Sequence, residues 1–426
     1  MRRSLWIGGG VVLALGLGMA GTTAYSGARA QQVAQGEVRA LRGGLAATPY
    51  ARVIEDRYQR GLFESTEDLT LGLGPRGADE LRVTVHNRIL HGPLPGLRGM
   101  GQAIVETELR WPPEIQRRLD AAFGGKQPTI RTVVGLDGAS TTALHVPAGR
   151  VQQDGGTLTF AALDGTYRQA GGRSDLRLAW PDLRVSADGD DLHLSGLRLS
   201  ASSLGPAGGH SRLTVETLEI GGASPVTVRG LSASADTSQR GNALDFSLRY
   251  ALREAQADGQ SLGASTVTLA LRHLDRPSLE ALGGLQGRLQ GQRDPEALWP
   301  EVAPALEGLL RGAPELAVED LALDLPQGQL TASARLSLDD PQTIRLPRDL
   351  TEGAAEAFPA ALLTHLHLRA HLEADATLAQ SFAGGLEELQ DLQDQGFLRR
   401  DGDTLKGDAE FTRGQLTVNG KPVPLD

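Results

Sequence analysis

Apolar and polar positions change period several times along this chain, and each change marks a new element. An uncharged stretch runs from Ser4 to Ala28, and its apolar heart, Leu5 to Ala24, has the length a helix needs to cross a bilayer. Residues 31–60 then read as helical, with Val38, Leu41 and Leu45 at helical spacing, interrupted by Gly43-Gly44 and Thr48-Pro49. From Thr66 the period becomes two: Leu69, Leu71 and Leu73, then Leu81, Val83 and Val85, alternate with polar neighbours as half-buried strands do. Trp111-Pro112-Pro113 opens a short helix carrying Ile115, Leu119 and Phe123, and Gly124-Gly125 ends it.

From about residue 157 the strands acquire a slip of phase. Apolar residues recur at relative positions 0, 2, 5 and 7, first as Leu178, Trp180, Leu183 and Val185 around Pro181-Asp182, then as Leu192, Leu194, Leu197 and Leu199 around Gly196. The pattern returns in Leu213, Val215, Leu218 and Ile220, in Val226, Val228, Leu231 and Ala233 around Gly230, and in Leu316, Val318, Leu321 and Leu323 around Glu319-Asp320. In a regular strand such a slip would throw the second half onto the opposite face. A bulge or bend at the slip restores the face and adds curvature. Unequal spacing between the copies argues against a strict solenoid.

Plain alternation returns in Leu244, Phe246, Leu248 and Tyr250 and in Val267, Leu269 and Leu271. Residues 276–315 read as helical, with one segment started by Asp294-Pro295 and another from Glu301 to Arg311, where Pro304 fits only within the first turn. Leu321 to Leu325, Pro326-Gln327-Gly328 and Leu330 to Leu338 form a hairpin with its apolar residues on one side. A helix from Leu378 to Gly396 follows, and the last strands turn at Asp401-Gly402 and Asn419-Gly420.

These elements predict an α+β fold, mainly β: an N-terminal transmembrane helix, then a long curled antiparallel sheet with one apolar face and a few packed helices. By the same reading, residues 1–30 are a cytoplasmic tip and anchor, 31–65 a helical linker and 66–275 a β-rich domain. Residues 276–426 are a second β-rich part with helices at 294–312 and 378–395.

Composition narrows the function. The 426 residues include 54 Gly and no Cys, which excludes disulfides, Cys-ligated metals and a Cys nucleophile. A net charge of −10 with acids and bases mixed along the chain argues against nucleic-acid binding. Arg2 and Arg3 before the apolar stretch and an acidic remainder after it place the amino terminus in the cytoplasm and the bulk of the chain outside it. The competing reading is a signal peptide cleaved at Ala28-Arg29-Ala30, and both readings export the chain. Gly10, Ala14 and Gly18 share a helix face on which two anchors could pack as a homodimer.

Four segments resemble the YdgA-like family of bacterial inner-membrane and periplasmic proteins of unknown function. They are the anchor from Trp6-Ile7-Gly8-Gly9 to Tyr25-Ser26-Gly27, the run Tyr58 to Ser65, the element Ile89-Leu90-His91-Gly92-Pro93-Leu94, and the ending Gly414 to Pro422. Their order and spacing carry the resemblance over residues 1–150 and 315–426; residues 155–290 hold no family landmark. The resemblance implies an envelope location and no established activity.

Candidate chemistry is sparse. Gly259-Gln260-Ser261-Leu262-Gly263 matches the string of serine hydrolases, yet Ser265 to Arg272 alternate like a strand where that chemistry needs a helix, so a hairpin loop is expected. His365, His367 and His371 share a strand face with Arg369, Glu373 and Asp375; zinc ligation is one reading and a solvated face the favoured one, because Leu366, Leu368, Ala370 and Leu372 form an apolar stripe behind them. His91 is either a ligand or proton-transfer group, or an imidazole bonded to the backbone of its own Gly92-Pro93 turn, and the second is favoured. Asp188-Gly189-Asp190-Asp191 lacks the remaining ligands of a calcium loop and reads as a turn. No catalytic, cofactor or metal residue is assigned. The expectation is a non-enzymatic protein held in the inner membrane through residues 5–24. It offers its apolar curved sheet to a lipid or acyl chain, or serves as an envelope scaffold with a fully packed core and an envelope protein as partner.

Overall fold

The computed structural model describes residues 51–74, 80–97, 100–153, 155–187, 190–205, 208–291, 298–347, 362–383 and 385–424. The predicted transmembrane segment at 5–24, the part of the helical linker at 31–50, the helix start at Asp294-Pro295 and Asp188-Gly189 lie outside the described residues. The chain falls into two compact units: one runs to Gly205 and adds Ile220–Gly222, the other holds Pro206–Glu219 and everything from Ala223 onward. The change from strand to helix at residues 275/276 lies inside the second unit.

The first unit contains β1 (Ala51–Gln59), β2 (Glu64–Leu73), β3 (Leu81–His91), β4 (Ala103–Arg110), α1 (Pro113–Phe123), β5 (Thr129–Val134) and β6 (Ser140–Val146). It continues through β7 (Gly149–Gln153), β8 (Gly156–Phe160), β9 (Leu163–Ala170), β10 (Arg173–Ala187) and β11 (Asp190–Ser203). The strands pair antiparallel in the order β1, β2, β3, β4, β5, β6, β9, β10, β11, and the β7–β8 hairpin joins β10 beside β9. Residues 51–59, expected to end a helix, form β1 instead. Val53, Ile54 and Tyr58 suit a pleated surface, and pairing with β2 at every residue but Ile54, where the register shifts, overrides a weak helical period.

Leu69, Leu71 and Leu73 of β2 and Val83 and Val85 of β3 are buried with Leu109, Trp111, Ile130 and Leu144, and Phe123 of α1 packs into the same cluster. Phe160 meets Phe123 edge-on at 5.8 Å between ring centroids and Trp180 at 6.2 Å. The predicted helix appears at its expected place, ended by Gly124 at φ 61°.

The second unit holds β12 (Gly208–Ile220) up to Glu219, β13 (Val226–Arg240), β14 (Ala243–Leu252), β15 (Glu254–Ala257), β16 (Gln260–Leu262), β17 (Ser265–Asp275), α2 (Arg276–Gly291) and α3 (Trp299–Arg311). Then come β18 (Glu315–Leu325), β19 (Gly328–Leu338), β20 (Leu366–Asp375), α4 (Ala376–Ala383), α5 (Leu386–Asp394), β21 (Arg399–Asp401), β22 (Thr404–Thr412), β23 (Gln415–Val418) and β24 (Lys421–Val423). Its antiparallel order is β13, β14, β17, β18, β19, β20, β22, β23, β24. Two expectations are corrected. The helix placed at 378–395 is two helices, because Gly384-Gly385 supplies no side chain to favour continuation. Pro304 lies past the first turn of α3, which begins at Trp299; burial of Ala303 and Ala305 holds the helix together despite the missing N–H.

The phase slips at Gly196, Gly230 and Glu319-Asp320 are departures from a regular strand. Leu178, Trp180, Leu183 and Val185 of β10 stand opposite Leu199, Leu197, Leu194 and Leu192 of β11, so the slipped pattern on one strand meets the slipped pattern on the other. Pro181 and Gly196 share the rung between them, with Gly196 at φ 64°, and the register is the same on both sides. At Gly230, φ 67°, β13 stops pairing with β15 and starts pairing with β14. Glu319-Asp320 is a β-bulge: Val318 faces Ala334 and Leu321 faces Ala332, so β18 carries one more residue than β19 across that gap.

Candidate functional site

Alternation and register together build one apolar face in the second unit. Phe246 of β14 faces Leu271 of β17, which faces Leu316, then Leu336, Leu368, Phe411, Leu416 and Val423 on the successive strands. Beside this row runs another that begins with Leu248, Leu269 and Val318 and continues with Ala334, Ala370 and Ala409. Large side chains fill the first row, and from β19 to β22 the second row carries only alanines. The face is not sealed: Leu316 is 48% exposed and Leu271 43%. Helix α4 closes only one corner, where its Leu378 is buried with Ala374 and Leu405, while Phe382 and Leu386 are 65% and 55% exposed. An apolar surface left open to this extent is a candidate interaction site.

The opposite face of the same strands is charged and largely self-satisfied. Glu315 receives Arg272 at 2.8 Å and Arg335 at 3.4 Å. Glu410 receives Arg369 at 3.0 Å and His367 at 3.1 Å, and these two contacts, His367 first, hold its carboxyl below the usual range. His371 Nδ1 lies 2.7 Å from Asp408, whose carboxyl is lowered chiefly by that hydrogen bond. His365 sits just before β20 and bonds the Asp339 carbonyl at 3.0 Å. His367 Nδ1 also lies 3.5 Å from the Asp339 carboxylate, so His365 and His367 share that residue, one through its carbonyl and one through its side chain, while His371 turns to Asp408. Among the described residues no group of three or more His, Asp or Glu gathers around a common point. Cross-strand His-to-Asp pairs recur elsewhere, in His86–Asp68 and His145–Asp164, each at 2.7 Å. Sequence alone could not find them, because the partners are 18 and 19 residues apart and meet only through register.

His91 departs from its expected role. Its ring does not bond its own turn: Nε2 lies 2.7 Å from Ser65 Oγ on β2, and Ser65 is buried. The backbone N–H of Gly61 donates to the same hydroxyl at 3.3 Å, and the N–H of His91 donates to the Phe63 carbonyl at 2.8 Å. Nδ1 is buried without a partner, and burial, followed by the charge of Arg60, holds the imidazole below its ordinary value. A serine sealed inside a strand pair is not presented to a substrate, so the pair acts as a pin between the β1–β2 turn and β3. Ser261 of the Gly259–Gly263 string is exposed on β16, beyond a turn with Gly259 at φ 78°, and a strand rather than a helix follows it.

What the fold and its faces define is a mainly β, antiparallel protein with one sealed core and one open apolar face. The whole chain, residues 1–426, matches the family described as "Bacterial protein of unknown function (DUF945)", and the protein belongs to that family. It is 22% identical over 501 residues to Protein YdgA of Escherichia coli strain K12, an alignment that covers all of this chain and 96% of that relative. No solved structure matches.

Proposed function

We propose that the protein is a non-enzymatic envelope component, tethered to the inner membrane through residues 5–24 with its bulk in the periplasm, that seats an acyl chain on the open apolar face of its second unit. The observation that carries this reading is the cross-strand row from Phe246 to Phe411, in which Phe246, Leu271 and Leu316 are 38%, 43% and 48% exposed. An acyl chain lying there would remove apolar surface from water at about 25 cal/mol per Å². A scaffold with a packed core is less well supported, because α4 and α5 turn Phe382 and Leu386 outward instead of onto the sheet.

The test is displacement of a fluorescent fatty acid from the full chain in detergent, combined with mass spectrometry of protein purified without added lipid. The expected result is saturable displacement, abolished by Leu271→Glu with Leu316→Glu and retained in Arg335→Glu on the charged face. Absence of saturable binding, together with no co-purifying acyl species, would overturn the reading. Protease treatment of spheroplasts tests the location: digestion from outside is expected.

A further inference from the structure

A separate apolar surface lies at one end of the first unit. Strands β2 to β6 are consecutive neighbours, and the turns β1–β2, β3–β4 and β5–β6 all leave the sheet at that end. His91, Ala103, Val134 and Ser140 form one rung across β3, β4, β5 and β6, so these turns start from a common level. Each carries large apolar residues pointing away from the protein: Leu62 and Phe63 in the first, Leu94 and Met100 in the second, Leu136 in the third. Exposure runs from 54% at Leu94 to 86% at Leu62. The loops are braced rather than loose. Gln102 Nε2 donates to the Leu136 carbonyl at 3.0 Å, Gly101 N–H donates to the Pro93 carbonyl at 3.1 Å, and the Ser65–His91 pin holds the turn at Gly61–Phe63.

We infer that these turns dip into the surface of a phospholipid bilayer. Side chains on separate tips at one level suit a plane, which needs no matching cleft, and leucine, phenylalanine and methionine gain by entering the acyl boundary. The charges beside them fit the same occupant. Arg60 is an exposed cation next to Leu62, and the Asp137 carboxylate is engaged by the Ala139 N–H at 3.0 Å. The inference rests on the membrane-tether part of the proposed function, and chain length permits it. Residues 25–50 would span about 39 Å even if wound wholly as a helix at 1.5 Å per residue. That exceeds the roughly 30 Å of the nine-residue strand β1, which separates the end of that segment from the tips.

The test uses the full chain, which has no cysteine of its own, in vesicles of phosphatidylethanolamine and phosphatidylglycerol. Single substitutions Phe63→Cys, Leu94→Cys and Met100→Cys each carry an environment-sensitive fluorophore. Lys126→Cys, exposed near the start of β5 at the other end of the sheet, is the control. The expected result is a blue shift and loss of emission with spin-labelled lipids at the three tip positions and neither at Lys126. Flotation with the vesicles but no loss of emission at the tips would overturn the inference and leave the tether standing. Failure to float with no loss of emission would overturn both, and equal loss at all four positions would overturn the docking alone.

Discussion

Ser65 and His91 are joined across β2 and β3 by a 2.7 Å contact between Oγ and Nε2, in a site where the hydroxyl is buried and the other ring nitrogen has no partner. The imidazole therefore takes up a proton less readily than a free one, and it serves as a strut. In the unfolded chain His91 takes its proton near pH 6.5, and in the folded chain only at lower pH, since burial and then Arg60 depress it. The unfolded state binds more protons in that window, so this site's contribution to stability falls as pH drops below about 6.5 and is lost once the folded value is passed. His91→Asn should remove that dependence. Melting temperatures of the two proteins followed from pH about 7.5 to about 5.5 should converge as pH falls; a constant gap would refute the assignment. Ser65→Ala should cost about 1–3 kcal/mol in urea unfolding by orphaning Nε2.

The two units should respond differently to the loss of a leucine side chain. Leu71 is 1% exposed in the sealed core, and Leu71→Ala should cost about 2–5 kcal/mol. Leu316→Ala, on the open face, should cost under about 1 kcal/mol while weakening fatty-acid displacement. Equal destabilisation by both would mean that the second face is covered.

Gly230 bends β13 where its partner strand changes. A Cβ there would sit 2.9 Å from Arg253 Cβ, and φ 67° is left-handed. Gly230→Ala should destabilise by about 1–2 kcal/mol in chemical unfolding, from backbone strain alone, before the contact is counted. No change would mean the bend is dispensable.

Asp408 is held ionised below the usual carboxylate range mainly by His371, with Arg399 adding its charge. A carboxylate with a depressed value adds stability above its ordinary range and loses it as pH falls through the folded value. In His371→Asn the Asp408 carboxyl should titrate at higher pH, read by carbon-detected NMR. An unmoved titration would show that Arg399 alone sets it.

Much of the fold was legible in the sequence because it is written locally. Pro113 and Gly124 bracket α1, and Asn419-Gly420 turns with positive φ at both residues, 50° and 77°. The slips at Gly196, Gly230 and Glu319-Asp320 were legible as breaks in period. The strand at 51–59 was not, since its pairing with β2 is a tertiary fact that outweighs three leucine-like positions upstream. The break at Gly384-Gly385 lay inside an otherwise helical apolar pattern. Least legible were the contacts that register creates: Ser65 with His91, and each histidine with its acid. Nothing within a few residues of His91 announces Ser65, which lies 26 positions away.

The shared rung of Pro181 and Gly196 ties the lengths of two strands together. Deleting a single residue from β10 alone, or from β11 alone, would leave one kink without its counterpart and rotate half of that strand's leucines to the wrong side. Relatives should therefore gain or lose residues between Arg173 and Ser203 only in compensating pairs, one on each strand, or within the connection that joins them.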